Sequence, residues 1–220
     1  MGKLIKNIIF DFGGILLDLD YSLSFNRLKE LLNIEGDIPE NVQLILDEYE
    51  MGYFSEGSFL HRLQRLTDDI ITERALVDAW NAMLLNVQLY KLDFVKDLRS
   101  QYKLYLLSNT NHTHLTYVRQ KMLPAIDVDP AQFERDHFIK AYYSHEIKYR
   151  KPNHDIYEYV LADSHLNPSE TLFIDDNPDN VRGAKEVGLH AVVHDPSLDI
   201  TEKLQDYLNG VWYQSPVYNV

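Results

Sequence analysis

Cysteine is absent from the 220-residue sequence, and its absence removes several chemistries at once. The chain cannot form a disulfide, a thiolate zinc site or a cysteine nucleophile. Long hydrophobic runs are absent too, since no segment approaches the ~20 apolar residues of a transmembrane helix. The apolar residues 8–10 end at Asp11, which is too short a run for the core of a signal peptide. We therefore expect a cytoplasmic protein without a membrane partner.

Basic residues are few as well. The sequence has 21 Lys and Arg against 34 Asp and Glu, which gives a formal net charge of −13. Binding to nucleic acid requires a basic surface that neutralises phosphates, so we do not expect a nucleic-acid partner. A small anion can still bind where a local cation outweighs the acidic surroundings. With 45% hydrophobic and 25% charged residues, the composition is that of an ordinary folded protein of one or two domains.

Five short apolar runs predict the buried strands of a parallel sheet: residues 6–10, 103–107, 138–142, 171–174 and 190–193. Runs of this length that alternate with helical patterns are typical of an α/β sheet covered on both faces. One helix is readable in detail, because Asn177 and Pro178 provide its N-cap and first residue and Gly188 ends it. We expect a Rossmann-like core with helices on both faces of the sheet.

The first gap between strands is too long for a simple crossover, which needs only about a dozen residues. Its apolar positions repeat with helical spacing, so we predict a helical cap domain at residues 18–88. The catalytic core then comprises residues 1–17 and 89–198, followed by a C-terminal helix and tail at 199–220. Residues 30–56 of the cap contain eight acids and no Lys or Arg, which is typical of a solvated helical face.

Polar side chains follow the predicted strands at the points where the strands end. Carboxyl ends of parallel strands meet at one edge of the sheet, where ligands of open α/β folds bind. Two of these side chains are adjacent carboxylates, which repel each other unless a cation lies between them. The candidate site residues are Asp11, Ser108, Asn109, Lys151, Asp175 and Asp176.

These residue types point to phosphoryl transfer. A carboxylate such as Asp11 can attack phosphorus and form an aspartyl-phosphate. Three carboxylates and a phosphate dianion repel one another, so both Lys151 and Mg²⁺ are needed to balance the charge. Lys151, Ser108 and Asn109 would bind the phosphoryl oxygens. The residues therefore point to Mg²⁺-dependent phosphoryl transfer from a small phosphorylated metabolite, by a monomer or homodimer.

Four motifs in order resemble the haloacid dehalogenase-like superfamily, whose members are mostly Mg²⁺-dependent phosphatases. The motifs are IIFDFGG at 8–14, LLSNT at 106–110, RKP at 150–152 and FIDDNPDN at 173–180. The resemblance covers about residues 4–195 and implies that the insertion is the helical cap of the family. Within the family, the chain is most similar to the bacterial branch that hydrolyses sugar phosphates such as glucose 1-phosphate.

The resemblance implies a Mg²⁺ site built from the first and fourth motifs. Asp11 would be both the nucleophile and a metal ligand, and the backbone carbonyl of Gly13 would be a second ligand. Asp176 would be the third ligand, with Asp175 and Asn180 supporting the metal.

The resemblance also implies that Ser108 and Lys151 hold the phosphoryl group, but one position departs from the family pattern. Most phosphatases of the family carry an acid–base Asp two residues after the nucleophile, where this chain has Gly13. Positioned acid–base catalysis contributes roughly 10²–10⁴-fold, so another residue or solvent must act instead. The sequence offers four side chains for that role: Asp18, Asp20, Tyr53 and Glu56.

Other interpretations remain open at this point. A hydrolytic dehalogenase also lacks the second Asp, but it needs no Mg²⁺ and leaves Asp175 and Asp176 unexplained. A response-regulator receiver would carry its acidic pair at the first strand, in a chain about half as long. A degenerate phosphate-binding protein without turnover would account for Gly13, but not for an intact nucleophile and lysine. His112 and His114 lack a third zinc ligand, so we interpret them as loop or helix-start residues.

Overall fold

The structure, a computed structural model, describes residues 5–213. Within them, a five-stranded sheet and a separate two-stranded sheet are present. In chain order the strands are β1 (Asn7–Phe10), β2 (Leu17–Leu19), β3 (Leu84–Val87), β4 (Lys103–Ser108), β5 (Lys140–Tyr143), β6 (Thr171–Asp175) and β7 (His190–Val193).

Helices connect these strands. In chain order they are α1 (Tyr21–Leu32), α2 (Glu40–Glu50), α3 (Glu56–Gln64), α4 (Glu73–Trp80), α5 (Leu89–Leu98), α6 (His112–Tyr117), α7 (Leu123–Ala125), α8 (Phe133–His137), α9 (Ser144–Ile147), α10 (His154–Asp163), α11 (Pro178–Glu186) and α12 (Ile200–Tyr213). Short 3-10 turns occupy Asn81–Met83 and Pro168–Glu170, and a π-helical turn, Val118–Met122, joins α6 to α7. Within the described residues, no helix combines the length and the hydropathy needed to cross a bilayer.

The large sheet has the order β5-β4-β1-β6-β7 with all neighbours parallel, which confirms the predicted α/β fold with helices on both faces. Its alternating side chains divide the core into two layers. Ile8 and Phe10 pack in one layer with Val95 of α5, while Ile9 packs in the other with Ile156 of α10. The strand predicted at 138–142 begins two residues later, because Phe138 packs against Phe133 of α8 before the strand starts.

The segment between β2 and β3 forms a helical cap with a core of its own. Helices α1 to α4 pack around buried residues that include Leu28, Leu46, Phe59, Leu76 and Trp80. The two ends of the segment are strands rather than helices, since β2 and β3 pair antiparallel with Leu17 opposite Val87. We propose residues 18–88 as the extent of the cap, because this pairing brings its two ends together.

The predicted C-terminal helix is present as α12, which packs on the core through Leu204 and Leu208. Residues 214–220 of the predicted tail lie outside the described part of the chain.

Candidate active site

A cavity of about 280 Å³ opens where the carboxyl edge of the large sheet meets the cap. The core lines it with the predicted residues that follow β1, β4 and β6, and with the lysine loop that follows β5. The cap contributes polar and apolar side chains from α1, α2 and the start of β3. Predicted site residues that line it are Asp11, Gly13, Ser108, Asn109, Lys151, Asp176 and Asn180.

Lys151 joins two of the predicted carboxylates. Its side chain is 1% exposed, and its Nζ lies 2.8 Å from Oδ1 of Asp11 and 2.7 Å from Oδ2 of Asp175. The same ammonium donates a third hydrogen bond, of 3.0 Å, to the backbone carbonyl of Leu107. A buried lysine with all three donors engaged is held in one position, so the third motif delivers a fixed positive charge to the end of β1.

Asp175 is fully buried, and its carboxylate is surrounded by donors. Besides Lys151, it accepts hydrogen bonds from the Asn180 side chain at 3.0 and 3.1 Å and from the Asn177 backbone at 2.8 Å. These contacts leave Asp175 as the structural link between the lysine and helix α11, which begins at Pro178.

The acidic side chains form a cluster that is short of positive charge. Asp11, Asp175 and Asp176 each offer an oxygen, and these oxygens lie within 4.8 Å of one another. Burial raises the pKa of Asp11 to about 8 in spite of the opposing effect of Lys151, and burial followed by Asp175 raises the pKa of Asp176. One lysine is therefore too little charge for three carboxylates, and a hard divalent cation fits their oxygen donors.

Gly14 allows Asp176 to reach this cluster. Its backbone has φ +70°, and a Cβ at this position would collide with the carboxylate of Asp176. Only glycine combines this left-handed conformation with so close an approach. The second glycine of the first motif therefore explains how a side chain that follows β6 lies against the loop that follows β1.

The second motif contributes two residues with different surroundings. Ser108 is 4% exposed, and its hydroxyl has no hydrogen-bond partner among residues 5–213. The Asn109 side chain, in contrast, donates to the backbone carbonyl of Lys151 at 2.9 Å and accepts from its backbone N–H at 3.0 Å. The amide of Asn109 thus holds the lysine loop in place, while the hydroxyl of Ser108 faces the cavity unpaired.

None of the four side chains that the sequence offered in place of the missing acid–base Asp lines the cavity. Asp18 accepts hydrogen bonds from Gln88 at 2.9 Å and Lys91 at 3.2 Å, and Asp20 caps helix α1. Glu56 accepts from the Thr113 hydroxyl at 2.7 Å, and Tyr53 is 57% exposed on the cap. Each of the three acids therefore has a structural partner away from Asp11.

Sequence reasoning gave no role in the site to Tyr21, Glu50 and Arg150, which also line the cavity. Arg150 precedes the buried lysine and pairs with the cap, through Glu50 Oε2 at 2.8 Å and Asp47 Oδ1 at 3.2 Å. These two acids belong to the acidic run at residues 30–56, which we predicted to be a solvated helical face. The prediction describes its exposed members Glu35 and Glu40, but not the two acids that pair with Arg150. Its place as the first residue of the third motif was the available signal for Arg150.

His114 also lines the cavity, and it lies in the first turn of helix α6, at a helix start as predicted. Its Nδ1 lies 2.9 Å from Oδ1 of Asn81, and its ring stacks on Trp80 with a centroid distance of 4.8 Å. Burial lowers the pKa of His114 to about 3, so its imidazole is neutral at physiological pH. His114 is therefore a packed residue of the interface between cap and core.

Comparison with known proteins agrees with this arrangement. The D-ribitol-5-phosphate phosphatase of Bacteroides thetaiotaomicron is 32% identical over 210 residues, which cover 94% of this chain and all of that protein. A haloacid dehalogenase family enzyme of the same organism was crystallised in complex with magnesium and inorganic phosphate. It is 33% identical, with a TM-score of 0.77 over 89% of this chain and 96% of that chain.

A third similar structure is that of a predicted haloacid dehalogenase-like family hydrolase from Porphyromonas gingivalis. It is 32% identical, with a TM-score of 0.79 over 93% of this chain and 98% of that chain. The sequence model of the haloacid dehalogenase-like hydrolases matches residues 5–188, which include all four motifs. The fold, the motifs and these relatives together mean that the chain belongs to the haloacid dehalogenase-like hydrolase family.

Proposed function

We propose that this hydrolase is a Mg²⁺-dependent phosphatase that hydrolyses a phosphorylated sugar or polyol through an aspartyl-phosphate on Asp11. The observation that carries the proposal is the buried Lys151, which joins Asp11 to Asp175 beside Asp176 at the floor of the cavity. The D-ribitol-5-phosphate phosphatase similar to this chain supports the substrate class. The magnesium and phosphate complex of the related enzyme supports the metal.

Asp11 is the nucleophile in this proposal. Lys151 binds its Oδ1, and Oδ2 forms the new bond to phosphorus while the bond from phosphorus to the alcohol oxygen breaks. A water molecule then attacks phosphorus, and the electrons of the bond to Asp11 return to the carboxylate as phosphate is released. Because Asp11 directly follows a central strand that is paired on both sides, its backbone is held in place for the incoming phosphate.

The donors around Asp11 fit a magnesium ion. We assign the carboxylates of Asp11 and Asp176 and the backbone carbonyl of Gly13 as its ligands, with Asp175 and Asn180 in support. When bound, the ion would neutralise the carboxylates and stabilise negative charge on the phosphoryl oxygens. Asp175 contributes indirectly, because its oxygens are already hydrogen-bonded to Lys151 and Asn180.

Two side chains are assigned to the phosphoryl group itself. Lys151 supplies a buried positive charge, and the unpaired hydroxyl of Ser108 donates a hydrogen bond to a phosphoryl oxygen. The sequence also predicted that Asn109 binds substrate. Because its side chain is bonded to the backbone of Lys151, we propose instead that it positions this lysine.

The size and lining of the cavity suit a small phosphorylated sugar or polyol. About 280 Å³ is near the lower limit for ligand sites, which favours a short carbon chain over a nucleotide. Glu50 and Arg150 present polar atoms that hydroxyl groups can bond, while Phe25 and Met83 supply apolar surface for carbon atoms. The cap therefore selects the alcohol part of the substrate.

A panel of sugar and polyol phosphates, including D-ribitol 5-phosphate, tests the proposal with Mg²⁺ and with EDTA. We expect turnover that needs Mg²⁺ and is lost in Asp11→Asn, while Asp206→Asn on the distant helix α12 keeps it. Turnover that survives EDTA or Asp11→Asn would contradict the mechanism. Phosphate binding without any turnover would favour a degenerate enzyme, and halide release from a 2-haloacid in EDTA would favour a dehalogenase.

A further inference from the structure

The proposed reaction needs a proton donor that the first motif does not supply. The departing alcohol oxygen must gain a proton, and the attacking water must lose one. The resemblance to the family implies a carboxylate for this purpose at position 13, where Gly13 has no side chain. A side chain from another element that lines the same cavity can supply this donor.

The hydroxyl of Tyr21 lies close to the place where such a side chain would begin. A Cβ placed on Gly13 would be 4.0 Å from the Tyr21 hydroxyl oxygen. The same Cβ would collide with Cδ1 of Leu19, so Leu19 and Tyr21 together fill the space over this glycine. Tyr21 also lines the cavity that contains Asp11 and Asp176.

Local structure holds Tyr21 in this place. It is the first residue of α1, and Asp20 caps that helix by accepting a hydrogen bond from the Ser22 backbone at 3.0 Å. Strand β2 ends at Leu19, two residues earlier, and pairs with β3. The paired strand and the capped helix therefore fix both sides of Tyr21, although half of its surface is exposed to solvent.

Three other titratable side chains of the cavity already take part in hydrogen bonds or ion pairs. Glu50 is paired with Arg150 at 2.8 Å, and the Tyr143 hydroxyl donates to Glu134 at 2.9 Å. His114 is occupied on Nδ1 by Asn81 and is a very weak base because burial lowers its pKa. The Tyr21 hydroxyl has no hydrogen-bond partner within residues 5–213.

We propose that Tyr21 is the general acid and base of this enzyme, an inference that rests on the proposed phosphatase activity. As the bond between phosphorus and the alcohol oxygen breaks, that oxygen takes the proton of the Tyr21 hydroxyl and leaves a phenolate. The phenolate then takes a proton from the water that attacks the aspartyl-phosphate. The phosphate leaves, Asp11 regains its carboxylate and Tyr21 regains its proton.

A phenol is suited to both halves of this cycle. Burial raises the pKa of Tyr21 above its ordinary value. Tyr21 therefore stays protonated at neutral pH, which is the form a donor needs. After the transfer, the phenolate is a stronger base than the carboxylate that relatives use.

Tyr21→Phe separates the two proton transfers when leaving groups of different basicity are compared. For D-ribitol 5-phosphate, whose alcohol must be protonated, we expect kcat to fall by roughly 10²–10⁴-fold. For p-nitrophenyl phosphate, whose phenol leaves without a proton, aspartyl-phosphate should form rapidly and then hydrolyse slowly. A burst of nitrophenolate close to one per enzyme should therefore precede a slow steady state.

The controls make each outcome decisive. Tyr53→Phe, which removes an exposed cap hydroxyl outside the cavity, should keep wild-type kinetics with both esters. Tyr21→Phe should still bind Mg²⁺ and inorganic phosphate, measured by calorimetry, because it loses only a hydroxyl. Wild-type-like kcat in Tyr21→Phe, or an equal loss for both esters without a burst, would overturn the inference. A wild-type chain that hydrolyses neither ester would instead overturn the proposed function.

Discussion

The carboxylate of Asp176 lies in the space that a Cβ atom of residue 14 would occupy, and Gly14 leaves that space open. We predict that Gly14→Ala lowers Mg²⁺ affinity at least tenfold although it removes no ligand. The added methyl group must displace Asp176, and the φ of +70° is itself unfavourable for alanine. The measurement is the Mg²⁺ concentration that gives half-maximal activity, together with calorimetric binding of Mg²⁺.

Gly57→Ala provides the matched control for this change. Gly57 lies in helix α3, has open space around its Cβ position and tolerates alanine. Alanine should stabilise that helix by roughly 0.5–1 kcal/mol and leave Mg²⁺ affinity unchanged. Equal Mg²⁺ affinities in Gly14→Ala and wild type would show that Asp176 is not a metal ligand.

Lys151 is the group whose removal should cost most stability. Lys151→Met leaves Asp11 and Asp175 buried without their counter-charge, and loss of one partner from a buried pair typically costs about 3–5 kcal/mol. We expect a loss of this size in urea unfolding without Mg²⁺. Adding Asp175→Asn should recover part of it, because one buried negative charge is then gone.

An exposed ion pair gives the contrast. Lys6 pairs with Glu170 at the surface, and Lys6→Met should cost at most about 1 kcal/mol. A loss in Lys151→Met no larger than this would mean that Asp11 and Asp175 protonate freely when the lysine is absent.

The residues at the carboxyl edge of the sheet could be predicted from the sequence, because short local patterns determine where each strand ends. Apolar runs fix the strands to within about two residues, and the polar residues that follow them arrive at one edge by topology alone. Asp11, Ser108 and Asp175 therefore appear where they were predicted. Their roles in catalysis stay predictions, because neither the strand pattern nor the geometry of the site measures a reaction.

The contacts between cap and core could not be predicted from the sequence, because they join residues that are far apart in the chain. The pairing of Leu17 with Val87 spans the whole cap, and strands of three and four residues carry too little pattern to identify. Tyr21 looks like an ordinary first residue of a helix until the chain path places its hydroxyl over Gly13. Glu50 looked solvated because its partner, Arg150, lies 100 residues away.

Leu19 explains why a carboxylate cannot simply be restored at position 13. Its Cδ1 fills the place of the missing Cβ, so we expect Gly13→Asp alone to perturb the β2 strand and lower activity. The double variant Gly13→Asp/Leu19→Ala makes room for the carboxylate. In the Tyr21→Phe background it should recover at least tenfold in kcat for D-ribitol 5-phosphate.

The wild-type background supplies the opposite expectation. With Tyr21 present, Gly13→Asp/Leu19→Ala should not raise kcat, because the proton transfer already has a donor. A tenfold increase of kcat in that background would mean that the wild-type enzyme lacks a proton donor. It would therefore contradict the role of Tyr21 as general acid and base. Leu19→Ala alone controls for the cavity that the smaller side chain creates.

Arg150 connects the cap to the core beside the cavity through ion pairs. Its guanidinium binds Glu50 and Asp47 of α2, and the Ser144 hydroxyl donates to the Glu50 carbonyl at 2.7 Å. We predict that Arg150→Met speeds amide hydrogen exchange in α2 several-fold and raises KM for the sugar phosphate. Both follow from a cap that opens more often.

Arg74→Met is the control, because Arg74 pairs only with the exposed Asp78 within α4. It should leave exchange in α2 and the KM unchanged. Unaltered exchange in Arg150→Met would mean that apolar contacts alone keep the cap closed.

His114 should make the folded protein lose stability as the pH falls. Its pKa is held at about 3 by burial, whereas an unfolded chain has a histidine pKa near ~6.5, so protons bind the unfolded state first. Stability from the neutral ring is complete above the unfolded pKa and declines from about pH 6.5 towards pH 3, by roughly 1.4 kcal/mol per pH unit. Between pH 7 and pH 5, urea unfolding should thus show about 2 kcal/mol more loss in wild type than in His114→Gln. His61→Gln, at an exposed position of α3, should keep the wild-type pH profile, and parallel profiles for wild type and His114→Gln would mean that His114 is already charged in the folded protein.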